Sequence, residues 1–240
     1  MDQSRRFVLP GQNRLLSSLS RDVQIRLLPR MEKISFPVKQ IVYEPGQLMT
    51  HAYFPLSGVI SLLITLKGGG AVEVATIGNE GLVGTPLFLG AERSTLKVVC
   101  QVSGQALKMR ADNLKRSVEE FPELNALVRR YAQGLADQVA QTTACNHVHS
   151  VQARMCRWLL MTHDRVGADE FHLTQEFLAQ MLGVRRPSVT VAAGLLQRAG
   201  LIRYQRGRIR VADRAGLEAG ACECYETVRQ EIDRLIGAPS

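Results

Sequence analysis

The chain is poor in aromatic residues and has no long apolar run. Only 5% of its 240 residues are Phe, Trp or Tyr, and Trp158 is the single tryptophan. No stretch of about 18 apolar residues occurs, which excludes a helix that spans a bilayer. The first residues, Met1 to Leu9, carry Arg5 and Arg6 with no apolar stretch behind them, so no secretory signal is expected. No cysteine precedes Cys100. The five present, Cys100, Cys145, Cys156, Cys222 and Cys224, are scattered and odd in number, in a chain large enough to fold without cross-links. Free thiols in a reducing cytoplasm fit that pattern better than a disulfide framework. There is no Gly-rich phosphate loop and no Gly-x-Ser-x-Gly elbow. Nothing sets a general base beside a nucleophile, so no enzymatic activity is expected.

What is there is a globular composition with an excess of positive charge. Apolar residues make up 45% and charged residues 22%, and the net charge is +8. Such a balance favours acidic partners, nucleic acid or an anionic membrane surface. From Ile34 to Met109, β-favouring runs alternate with Gly and Pro. The runs are Gln40–Tyr43, Val59–Leu66, Val72–Ile77 and Leu96–Val102, and the breaks include Pro45-Gly46, Ser57-Gly58, Gly68-Gly69-Gly70 and Gly78-Asn79. Short strands at this spacing predict a small β-barrel or roll, with one helix before it around Arg21 to Met31.

The period changes after Ala111. From Glu123, apolar residues recur at Leu124, Leu127, Val128, Tyr131, Leu135 and Val139, steps of three and four that predict one long amphipathic helix. Its seam is narrow and close to a heptad, which suits pairing with a second copy of itself; packing on its own domain is the alternative. Ser150 is placed to cap a following helix through Met155, Trp158, Leu159 and Leu160. A polar loop follows around Gly167 to Glu170.

Residues 173–211 carry the functional signal. Thr174 is placed as an N-cap for a short helix with Phe177, Leu178, Met181 and Leu182 on one face, and Gly183 ends it. Pro187 suits the first turn of a second helix whose buried face is Val189, Ala192, Ala193 and Leu196. Two helices joined by a tight Gly-containing turn make a helix-turn-helix. Behind them, Leu201–Tyr204 and Arg208–Val211 flank Gln205-Arg206-Gly207, a hairpin in the position of a wing. Between Arg185 and Arg214 stand eight arginines and one acid, Asp213. A duplex backbone is a dense line of negative charge, and the arginine fork also matches the guanine edge in the major groove. Arg185, Arg186, Ser188 and Thr190 are therefore the candidates for base or phosphate contacts. Arg203, Arg206, Arg208 and Arg210 are the candidates for gripping phosphates from the wing. A ligand-binding regulatory module whose basic tail docks on a protein is the competing function.

With these motifs in place, the chain resembles the cyclic-AMP receptor and fumarate–nitrate regulator family, Crp/Fnr. Leu173–Leu201 carries the most specific part of the likeness. Tyr43-Glu44-Pro45-Gly46 and Tyr53-Phe54-Pro55-Leu56-Ser57-Gly58 resemble the family's β-roll opening, and Glu92-Arg93-Ser94-Thr95 resembles the phosphate-binding end of its nucleotide cassette. The resemblance implies an α+β chain: a cyclic-nucleotide-binding-like β-roll over residues 1–122, a dimerisation helix over 123–149 and a winged helix-turn-helix over 150–240. It implies duplex DNA, a second copy of the chain and RNA polymerase as partners, and a small-molecule effector or none. The dimer contacts expected from the period of the long helix are Leu124, Leu127, Val128, Tyr131, Leu135 and Val139.

Departures from the family bear on the effector. Arg93 and Ser94 stand where a cyclic phosphate is held. The family's ribose-binding carboxylate falls, by spacing, at Val83, and Glu80 takes that role only if the loop is longer. Its purine-contacting positions fall near Leu135, Val139 and Ala140, all apolar. Cyclic AMP is therefore not the expected effector; a more apolar one, or constitutive action, is. Without cysteines before Cys100 an iron–sulfur cluster of the oxygen-sensing kind is not expected, and no histidine has the setting of a haem ligand. Cys145, His147 and His149 lie at i, i+2, i+4, so only Cys145 and His149 share a helix face. Cys222-x-Cys224 is not a zinc spacing without two further ligands. No cofactor and no metal are expected.

Overall fold

A computed structural model describes residues 13–68 and 70–237. The expectation at Met1–Leu9, and Gly69 within the expected glycine turn, lie outside these residues. Two short helices, α1 (Arg14–Ser17) and α2 (Arg21–Leu27), lead into seven strands. These are β1 (Met31–Phe36), β2 (Ile41–Tyr43), β3 (His51–Pro55), β4 (Val59–Thr65), β5 (Ala71–Ile77), β6 (Lys97–Val102) and β7 (Gly104–Arg110). They form two antiparallel sheets, in the order β1-β7-β3 and β2-β6-β4-β5. The four strand runs expected from sequence are β2, β4, β5 and β6. The sequence reading did not isolate β1, β3 and β7, whose runs carry charged or polar residues on their outer faces, such as Glu32, Lys33 and Lys108.

Helix α3 (Ala111–Glu120) closes the roll and α4 (Pro122–Val148) runs on for 27 residues. Then come α5 (Val151–Val166), β8 (Glu170–His172), α6 (Gln175–Leu182), α7 (Arg186–Arg198), β9 (Ile202–Gln205) and β10 (Arg208–Val211). The chain ends with α8 (Arg214–Gly220) and α9 (Cys224–Ile236).

Two cores result. The first fills the roll and continues under α4. The second holds the helix-turn-helix residues together with Val59, Leu63, Val99 and Val102 of the roll. Alternation along β4 explains how one strand serves both: Ile60 and Leu62 point into the roll, while Val59 and Leu63 point to the helix-turn-helix side. With both faces covered, β4 reads as a continuous apolar run instead of an alternating one.

Helix α9 crosses the expected boundary at residue 150. Its Val228, Ile232 and Ile236 are buried in the first core, against α4, and Arg14 of α1 pairs with its Asp233 at 2.6 Å. The roll side of the molecule is thus built from the first and the last helices among the described residues.

Candidate nucleic-acid interface and sensor cavity

The helix-turn-helix forms for local reasons. Thr174 accepts a hydrogen bond from Phe177 N at 3.2 Å and opens α6. Gly183 closes it at φ +60°, a conformation that costs a residue with a Cβ. Pro187 lies in the first turn of α7, which holds no acid. Val189, Ala192, Ala193 and Leu196 are buried against α5 and α6, and the opposite face is open. Arg185, Arg186, Ser188 and Thr190 are all on that open face. The Thr190 hydroxyl, however, is directed to Gln175 Oε1 at 3.0 Å and Arg186 O at 3.2 Å. Val191 also projects outward, 64% exposed, an apolar side chain on the open face of α7.

The wing pairs Arg208 with Gln205 and Val211 with Ile202, so the loop is the dipeptide Arg206-Gly207. Both residues have positive φ, +49° and +75°, as a type I′ turn demands. Arg203, Arg206, Arg208 and Arg210 are exposed. Strand β8, which begins at Glu170 where the expected loop ends, adds a third strand to this sheet and brings Glu170 and His172 beside β10. Arg208 therefore pairs with Glu170 at 3.3 Å and donates to His172 Nε2 at 3.2 Å, so the wing is not free of acids as its own sequence suggested. Arg214 turns inward and holds Asp164 and Glu218. It belongs to the domain's frame.

In the roll, a cavity of about 270 Å³ lies between the β-sheets and α4. Val83, Leu62, Ile77, Leu135, Ala136 and Val139 line it, with the polar groups Ser94, Thr85 and Tyr43. Each of two expected phosphate ligands is engaged locally. Arg93 donates from the exposed rim to Gly46 O at 2.8 Å, and the Ser94 hydroxyl donates to Leu96 O at 2.7 Å. Glu80 does not reach the cavity. Its buried carboxylate accepts from Arg165 Nη2 at 2.7 Å, from Arg165 Nε at 3.0 and 3.1 Å, and from Gly78 N at 3.1 Å. Burial opposes its charge, but the Arg165 guanidinium prevails and holds it below the usual carboxylate range. The sequence-based role of Glu80 as a ribose carboxylate is corrected: its acceptor sites are taken by a helix of the DNA-binding domain.

The long helix also departs from expectation. Leu124, Leu127, Val128 and Tyr131 are each at most 2% exposed, packed into the core of their own chain, so they are not available to a second copy. The apolar seam was real, but the roll and α9 cover it. Leu135 and Val139 are only partly covered, and Ala136 and Ala140 beside them are exposed.

At the end of α4 the structure assembles a group that the sequence kept apart. Cys145, His149, Cys222 and Cys224 present ligand atoms all within 4.8 Å of one another, and His147 takes no part. The two further ligands that Cys222 and Cys224 lacked in sequence come from the last turn of α4 and the residue after it. The Cys145 and Cys222 thiols share a hydrogen bond in which either can donate, and that contact, with the Arg157 guanidinium nearby, lowers the Cys145 thiol and raises the Cys222 thiol.

Residues 33–121 match the family of cyclic nucleotide-binding domains, and residues 153–219 match that of Crp-like helix-turn-helix domains. Transcriptional regulator SdrP of Thermus thermophilus is 26% identical over 196 residues, covering 78% of this chain and 93% of the relative. A CRP-like cAMP-activated global transcriptional regulator of Mycobacterium tuberculosis is 22% identical, covering 78% and 87%. Among solved structures, FixK2 from Bradyrhizobium japonicum shares the fold with a TM-score of 0.68 at 13% identity, covering 80% of this chain and 98% of that one.

Proposed function

This chain belongs to the Crp/Fnr family of DNA-binding transcription regulators, and we propose that it acts on duplex DNA in the cytoplasm as a homodimer, with RNA polymerase as a further partner and without cyclic AMP as its effector. The observation that carries the DNA reading is the open face of α7 and the wing behind it, which together present Arg185, Arg186, Arg203, Arg206, Arg208 and Arg210. In this reading α7 enters the major groove, with Arg186 on a base edge, Ser188 and Arg185 on the backbone, and Thr190 holding Gln175 in place. Val191 suits an apolar contact with a thymine methyl.

The dimer reading moves from the core-facing seam to the exposed side of α4. There Ala136 and Ala140 lie beside Leu135 and Val139, small residues that let two helices approach closely.

DNA affinity measured across a salt series tests the interface. Arg206→Gly keeps the positive φ of the turn and removes one charge. It should flatten the log–log salt slope by about 0.9 on every sequence. Arg186→Ala should cost about 1–3 kcal/mol at the cognate site and relax base preference there. Unchanged slope and unchanged specificity in the two variants would remove α7 and the wing from the interface.

A further inference from the structure

The cysteine–histidine cluster lies outside both the DNA-binding face and the roll cavity. Cys145 stands in the last turn of α4, His149 follows the end of that helix, Cys222 lies between α8 and α9, and Cys224 opens α9. Cys145 Sγ and Cys222 Sγ are 3.5 Å apart, and Cys224 Sγ is 3.6 Å from His149 Nδ1. Four tetrahedral ligands around an ion with metal–sulfur bonds of about 2.3 Å stand about 3.8 Å from one another. Two donor pairs are close to that spacing, and all four donors lie within 4.8 Å of one another. We propose that Cys145, His149, Cys222 and Cys224 form a closed, four-coordinate site for one zinc ion, which ties α9 to the joint between the sensor and the DNA-binding domain.

The surroundings fit an ion. The outer nitrogen of His149, Nε2, is 3.1 Å from Glu223 Oε1, so a carboxylate fixes the ring with Nδ1 toward the sulfurs. This imidazole–carboxylate pairing is the usual support of a metal-bound histidine. Gln141 Nε2 donates to Cys224 Sγ at 3.0 Å. Three thiolates, a neutral imidazole and a dication leave one net negative charge, and two buried arginines of α5 stand against this end of α4, Arg154 on Asn146 Oδ1 at 3.0 Å and Arg157 on Thr142 Oγ1 at 3.1 Å. Each of these arginines keeps a buried Nε without a hydrogen-bond partner. Three sulfurs and one imidazole are a zinc set, and four protein ligands leave no position open for a substrate, so the role is structural or regulatory. An iron–sulfur cluster spreads its thiolates over several irons and needs them farther apart than one tetrahedron's edge.

The position gives the ion its consequence. His149 lies between the last residue of α4, Val148, and Ser150, which caps α5. α4 packs on the roll and α5 on the helix-turn-helix, so a bond from His149 to α9 pins the joint through which the two halves communicate.

The test uses the full chain purified under reducing conditions. Elemental analysis after desalting should find one zinc per chain. The chelator-stripped chain should take up Co(II) with the intense visible bands and sulfur charge-transfer absorption of tetrahedral thiolate coordination. Cys224→Ser and His149→Ala should weaken retention at least tenfold, whereas Cys100→Ala, in the roll, should not. Amide exchange at residues 148–151 should rise on stripping and fall again with zinc. A folded wild-type chain that shows no tetrahedral Co(II) spectrum overturns the site, and so does retention untouched by both ligand variants. None of these readouts depends on DNA, so failure here is separable from failure of the DNA-binding reading.

Discussion

Glu73 on β5 is 6% exposed, and Trp158 Nε1 of α5 donates to its Oε1 at 3.0 Å, while its other oxygen has no partner. Burial raises this carboxyl to about 7, against the Trp158 hydrogen bond and the Arg165 and Arg157 charges. The folded chain therefore holds the proton more tightly than the unfolded chain does. Stability from this residue is full below the usual carboxylate range, falls as pH rises toward 7, and is flat above. Glu73→Gln keeps an acceptor for the indole and carries no charge. It should stabilise the chain at pH 8 by up to about 3 kcal/mol and leave it unchanged at pH 4. Urea unfolding at the two pH values decides: a gain of equal size at both would mean that Glu73 does not titrate in the fold.

Contacts between elements add a second electrostatic link across the same junction. Arg165 at the end of α5 reaches into the roll, where it meets Glu80 and donates to Thr76 Oγ1 at 2.6 Å. Both charged side chains are 8% exposed. A pair this deep gains little over apolar residues of the same shape, but losing one member strands the other. Arg165→Met should therefore destabilise the chain by about 3–5 kcal/mol, whereas Glu80→Leu with Arg165→Met should recover most of it. Additive losses in a thermodynamic cycle would show that the two do not act as a pair. The pair also bears on the proposed effector: a carboxylate in the turn after β5 that is held by Arg165 of α5 is not free to hold a ribose.

Over the whole molecule, the cavity and the proposed dimer face depend on the same helix. Leu135, Ala136 and Val139 line the cavity from α4 while Ala140 is exposed beside them, so an occupant of the roll and a second copy of the chain, as proposed, would meet one element. Cyclic AMP would leave its ribose hydroxyl and purine edge without partners there, and each buried polar group left unpaired costs about 1–3 kcal/mol. Calorimetric titration with cyclic AMP should show no micromolar binding; saturable heat together with tighter DNA binding would overturn that expectation. Ala140→Glu, placed on the exposed side, should shift the chain to monomer in sedimentation at fixed concentration. An unchanged dimer would move the contact elsewhere.

The helix-turn-helix was legible in the sequence because every signal for it is local: Thr174 caps, Gly183 stops, Pro187 starts, and the apolar steps between them set the buried face. The same holds for the Ser150 cap, the length of α4 and four of the roll's strands. Sequence periodicity states that a face is apolar and leaves open what covers it, so Leu124, Leu127, Val128 and Tyr131 read as a dimer seam until the roll and α9 were seen to bury them. Pairings across 75 or more residues were beyond it for the same reason. Glu80 meets Arg165 85 residues on, and Cys145 meets Cys222 77 residues on. Local propensity and period follow from a residue and its near neighbours along the chain. Which distant side chains share a site is decided when the two cores close and α9 folds back onto α4.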